Sequence, residues 1–121
     1  MSTEESQPST GHAEQAYEAL RALNHDTLNA RLPAPVVYDV LGNLKGIGHL
    51  LPQALNQLAS GLGRSLDEYD VREDDGGDPV QNIAAATDHL TRAAHLADQL
   101  GEELEKAQTV LSGQGYRTDA I

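Results

Sequence analysis

The sequence predicts an all-α protein: a long antiparallel helical hairpin plus a shorter N-terminal helix. Three observations predict it. Leu and Val recur at alternating spacings of three and four residues from Val37 to Leu62, the pattern of a coiled-coil-like seam. A seven-residue apolar period runs through a second stretch, from Ile83 to Leu111. Pro33-Ala34-Pro35 and Gly76-Gly77-Asp78-Pro79 punctuate the chain where these patterns stop.

The first ten residues, MSTEESQPST, are polar and acidic and read as a disordered tail. The first helix is expected over residues 11–31, with Glu14 and Glu18 in its early turns, where acids complement the helix dipole. Its apolar face is Ala13, Ala16, Tyr17, Leu20 and Leu23, interrupted by Asn24 and His25. Pro33-Ala34-Pro35 then forces an extended turn.

The second helix is expected over residues 35–69, with Pro35 in its first turn. Its seam reads Val37, Leu41, Leu44, Gly48, Leu51, Leu55, Leu58, Leu62, Ser65 and Tyr69. Pro52 falls inside this stretch, and an interior proline costs about 3 kcal/mol. The apolar phase nevertheless continues past Pro52, which itself lies off the expected seam. One helix kinked near residue 52, eased by Gly46 and Gly48, is therefore expected in preference to two separate helices. Gly46-Ile47-Gly48 and Gly61-Leu62-Gly63 have two readings, close backbone packing or hinges, since each Gly costs about 1 kcal/mol against Ala in a helix.

Residues 70–78, DVREDDGGD, break the pattern, and a third helix is expected over residues 79–112. Asp78 is its N-cap, Pro79 its first turn, Gln81 its capping-box residue and Gly113 its C′ residue. One column reads Ile83, Leu90, Ala97, Leu104 and Leu111; the adjacent column reads Ala86, Ala93, Leu100 and Ala107. Residues 113–121 read as a short polar tail.

Lengths suggest an architecture. At ~1.5 Å per residue the second and third helices are each roughly 50 Å long, and a short loop makes them antiparallel. The first helix reaches only ~30 Å. It can cover the hairpin half holding Val37 to Leu51 and Leu100 to Leu111, but not the half nearest the acidic loop. There Leu55, Leu58, Leu62 and Leu66 face Ile83, Ala86, Leu90 and Ala93. These eight are the expected interface, because a two-helix layer leaves such residues partly wet and exposed apolar stripes mark contact surfaces. A homodimer, two hairpins pairing into a four-helix bundle, is the expected assembly.

Composition points the same way. The 121 residues hold no Cys, Trp or Phe, and only four Tyr. A core of Leu, Val, Ile and Ala buries little area per residue, a deficit that self-association offsets. The formal net charge of −11 disfavours nucleic acid and anionic membrane, and no run is long enough to span a bilayer. Acidity suits solubility or a basic protein partner; another helical protein is a further expected partner. The polar N-terminus lacks the apolar core of a Sec signal, so a cytoplasmic location is expected, with export lacking a cleaved signal as the alternative.

Catalytic and metal chemistry has little to build on. No two of His12, His25, His49, His89 and His95 stand three or four residues apart, the spacing of a helical imidazole pair. The acidic loop does not fit a calcium loop: counted from Asp70, Arg72 falls at the third position, Asp75 at the glycine position and Gln81 at the bidentate glutamate position. No nucleophile elbow or phosphate-cradling glycine loop is present. Neither an enzyme nor a bound cofactor or metal is expected.

Two resemblances add to this. Tyr38-Asp39-Val40-Leu41-Gly42-Asn43-Leu44, Leu51-Pro52-Gln53-Ala54-Leu55 and Gly76-Gly77-Asp78-Pro79 resemble a group of small uncharacterised actinobacterial helical-hairpin proteins over residues 38–112. That resemblance implies a hairpin and no activity. Tyr69 and Glu73 match the Tyr-x-x-x-Asp/Glu export signal of helical-hairpin substrates of type VII secretion. Those proteins pair as heterodimers, but their Trp-x-Gly turn is absent and Pro33-Ala34-Pro35 stands in its place. The leading expectation is a nonenzymatic homo-oligomeric adaptor or scaffold. The alternatives are a type VII-like secreted substrate and an acidic inhibitor that mimics nucleic acid.

Overall fold

The computed structural model describes residues 7–70 and 76–115. Among them are three α-helices and no strand: α1 Pro8–Thr27, α2 Ala34–Glu68 and α3 Pro79–Leu111. The protein is all-α, and α2 and α3 pack together as an antiparallel hairpin. The chain divides into two units between Pro33 and Ala34, one holding α1 and the other the hairpin.

α1 starts at Pro8 rather than residue 11, because a proline in the first turn gives up an N–H that has no helical partner anyway. Part of the segment expected to be a tail is therefore helix; residues 1–6 lie outside the described residues. The helix ends at Thr27 rather than residue 31. Leu28 turns extended, and Asn29 takes a positive φ of 58°, a conformation Asn tolerates better than most residues. No α1 residue is fully buried.

α2 runs unbroken through Pro52. Proline there removes the N–H that would otherwise bond the Gly48 carbonyl. α3 begins as its sequence indicates: Asp78 is extended and its carboxylate accepts a hydrogen bond from the Val80 N–H at 2.9 Å. Its end differs slightly. Both the N–H and the hydroxyl of Ser112 donate to the Thr109 carbonyl, at 3.1 and 2.8 Å, and Gly113 does not take the left-handed geometry of a C′ glycine. Residues 71–75 and 116–121, which include Glu73 and most of the expected C-terminal tail, lie outside the described residues.

The hairpin seam is where structure and pattern part company. One column on each helix is as expected: Leu41, Gly48, Leu55 and Leu62 on α2, and Ile83, Leu90, Ala97, Leu104 and Leu111 on α3 are all buried or half-buried. The second columns differ. Leu44 and Ser65 are half-buried on α2 as expected, but Leu51 and Leu58 are exposed, and Lys45, Pro52, Ala59 and Leu66 are half-buried on the other side of the first column. On α3, Ala86 and Ala93 are half-buried as expected, but Leu100 and Ala107 are exposed, and Ala94, Gly101 and Gln108 are buried. Around Leu51 and Leu58, and around Leu100 and Ala107, each seam is thus shifted one position, onto Pro52, Ala59, Gly101 and Gln108. Pro52, expected off the seam, is on it.

Close backbone contact is the physical reason. A Cβ added at Gly48 would lie 2.9 Å from the Gly101 Cα, 3.0 Å from its nitrogen and 3.3 Å from the Ala97 carbonyl oxygen. The two backbones meet here with no room for even a methyl group. A crossing this tight selects Gly and Ala for the line of contact and leaves the larger leucines beside it. Nearby, the buried Gln108 side chain donates to the Tyr38 carbonyl at 3.2 Å, and its amide occupies the space over Gly42. A buried amide satisfied in this way holds the helices in one register. Gly46 and Gly63 have no neighbour within 4 Å of an added Cβ, so close packing explains Gly48 but not them.

Candidate interaction face

A helix turns about 100° per residue, so each helix of the hairpin has two flanks beside the seam. On α2, Lys45, His49 and Asn56 lie on one flank, and Leu44, Ile47, Leu51 and Leu58 on the other. On α3, Asp98 and Glu105 lie on one flank, and Ala93, Leu96, Leu100 and Ala107 on the other.

Ion pairs show how these flanks combine. His49 Nδ1 is 3.4 Å from the Asp98 carboxylate, His49 Nε2 is 3.9 Å from Glu105, and Lys45 Nζ is 3.9 Å from Glu105. The two polar flanks therefore share one side of the hairpin. The two apolar flanks must share the other side.

The polar side is a solvated surface. Its Lys45–Glu105 ion pair is partly exposed, and a pair of this kind is worth roughly 0–1 kcal/mol. The His49 ring also lies over Gly101, where an added Cβ would come within 2.9 Å of it. An open groove of about 290 Å³ on this side is lined by Pro52, Asn56, Thr91, Ala94, His95 and Asp98. The Thr91 hydroxyl there donates to the Thr87 carbonyl of its own helix at 2.9 Å, and Asp98 is held by His49. A second open groove is lined by Gln53, Asn56, Gln57, Ser60 and Arg64 along α2. Among the described residues, no group of three His, Cys, Asp or Glu side chains is arranged to hold a metal ion, and no helix is long and apolar enough to cross a membrane.

The apolar side has a different character. Ile47 is 50% exposed, Leu58 57%, Leu96 63% and Leu100 51%. Single exposed leucines are ordinary, but a continuous two-helix strip of them is not. Along α2 the strip runs from Val36 through Val40, Leu44, Ile47, Leu51, Ala54 and Leu58 to Gly61 without a charged residue. On α3 it runs from Ala86 to Val110, with His89, Arg92 and Glu103 toward its outer edge.

The eight residues expected at the interface divide between two places. Leu55, Leu62, Leu66, Ile83 and Leu90 lie on the hairpin's own seam, and Leu58, Ala86 and Ala93 lie on or beside the apolar side. The pattern did not bring out Ile47, Leu96, Leu100 and Val110 as surface groups. Their signal was present as a second apolar stripe on each helix, one position removed from the first. Tyr69 is exposed at the end of α2, while Glu73, its partner in the export-signal spacing, lies outside the described residues. No family model, curated protein or solved structure matches the chain.

Proposed function

We propose that this chain is a nonenzymatic interaction module that presents one apolar side of a helical hairpin to a protein partner. The supporting observation is the segregation itself. Lys45, His49, Asp98 and Glu105 are gathered on one side, and a strip mainly of Leu, Ile, Val and Ala, with His89, Arg92 and Glu103 toward its outer edge on α3, covers the other. A side so poor in charge along two long helices costs solubility, and its exposed residues gain little for the hairpin's own packing, which is centred on a different line of residues. Contact with another protein is the use that fits it.

The test is Leu58→Glu combined with Leu100→Glu. Both side chains lie off the seam, so the variant keeps its helicity. Affinity capture from the native host, quantified against the wild-type chain, should show its specific partners, including untagged copies of the chain, lost together. Undiminished recovery of all of them by a folded variant would remove the basis for the proposal.

A further inference from the structure

Building on that reading, we infer that the occupant of the apolar side is a second copy of the same chain, stacked face to face with its loop at the opposite end. Area is the first argument. The strip, from Val36 to Gly61 on α2 and Ala86 to Val110 on α3, is about 37 Å long and ~18 Å wide, one interaxial distance plus one helix diameter, and presents on the order of 700 Å². A stable protein–protein interface takes roughly 600–1,000 Å² from each partner, so a second hairpin seated on the strip reaches that size.

Charge is the second argument. A chain of net charge −11 repels its own copies least through a surface poor in acids. The apolar side is close to such a surface: its acid, Glu103, stands at the outer edge 3.2 Å from Lys106, and pairing there leaves Asp98 and Glu105 of both copies pointing away from the contact. A basic partner, by contrast, would find none of the chain's carboxylates in the middle of this strip.

Charge also chooses the direction. Asp67 and Glu68 end α2, Asp70 follows, and Asp78 caps α3, so the described residues gather four acids at the loop end of the hairpin. A twofold axis parallel to the helices would set the loop ends of both copies side by side. An axis perpendicular to the helices puts them about 50 Å apart, at opposite ends of a four-helix bundle, beyond the ~8–10 Å Debye length at physiological salt. In that arrangement α2 crosses its own copy near its midpoint. Leu51 is the central residue of Ala34–Glu68, and Leu96 lies next to the centre of Pro79–Leu111. Leu51 therefore meets Leu51 of the second copy, and Leu96 meets Leu96.

The chain has no cysteine, so an engineered thiol is its only one. The experiment uses the full chain carrying Leu51→Cys, Leu96→Cys, or an equimolar mixture of the two, under mild oxidation, with light scattering on the unmodified chain. The expected result is a mass of twice 12.9 kDa and rapid covalent dimerisation of each single variant with itself. A dimer in which neither variant cross-links alone but the mixture does would overturn the antiparallel stacking, because Leu51 would then face residue 96. A strictly monomeric chain at ~50 µM would overturn self-pairing altogether. The interaction-module reading would survive that result if Leu58→Glu with Leu100→Glu still abolished capture of another protein, and would fall with it if capture were unchanged.

Discussion

Gly46 and Gly48 stand two residues apart in one helix, and replacing each with alanine should move stability in opposite directions. Both substitutions gain roughly 1 kcal/mol of helix propensity. At Gly46 an added Cβ meets nothing within 4 Å, so that gain is realised in full. At Gly48 the new methyl would stand 2.9 Å from the Cα and 3.0 Å from the nitrogen of Gly101. Both are backbone atoms that cannot rotate away, so the helices must separate at their crossing. Overpacking of this kind costs about 1–3 kcal/mol, which leaves Gly48→Ala between neutral and ~2 kcal/mol destabilised. The two variants should differ by ~1–3 kcal/mol. For a domain of 60–100 residues each kcal/mol shifts the midpoint by roughly 4–8 °C, so the separation is readily measured. Urea and thermal melts followed by circular dichroism, at one fixed protein concentration, provide the comparison. If Gly48→Ala proves as stable as Gly46→Ala, the helices do not cross at Gly48 and Gly101, and the placement of both flanks loses its footing.

Further outcomes follow from individual contacts. Leu62→Glu, on the seam, should lower stability by at least ~2 kcal/mol and cost helicity, whereas Leu58→Glu should change association and little else. Asp78→Ala should destabilise α3 by about 1 kcal/mol, with Asn at the same position restoring most of it, as read from denaturant midpoints. Gln108→Ala removes the hydrogen bond to the Tyr38 carbonyl and should cost about 1–3 kcal/mol, with faster amide exchange at the start of α2. Raising the salt concentration should strengthen self-association, since it screens repulsion between acidic chains while the contact itself holds no ion pair. Weakening with salt, seen by sedimentation, would place charged groups in the interface instead.

Much of the fold was legible in the sequence, and the reasons are local. Asp78-Pro79 marks the start of α3 because cap chemistry is written in the residues that perform it. The unbroken phase of Leu44, Leu51, Leu55 and Leu62 carried α2 through Pro52. The seam was harder to read. Counting apolar letters favoured Leu51, Leu58 and Leu100, but a helix crossing is set by how closely two backbones approach, and glycine and alanine decide that. Gly48 and Gly101 lie on different helices, so their meeting is a tertiary fact that no single-helix periodicity contains. Gln108 was passed over for a related reason: a polar side chain in an apolar column reads as an interruption until its partner, the Tyr38 carbonyl, is located. The apolar side was half visible. Each helix shows more hydrophobic positions than one seam requires, and that surplus became the second stripe.

The most direct test of the account is the molar mass of the Leu58→Glu, Leu100→Glu chain in solution, measured by light scattering together with its far-ultraviolet ellipticity. The account predicts a single-chain mass with helical signal retained, against a two-chain mass for the unmodified protein. A mass that does not change, or a helical signal that collapses, would contradict it: in the first case the apolar side is not the contact, and in the second those leucines belong to the interior.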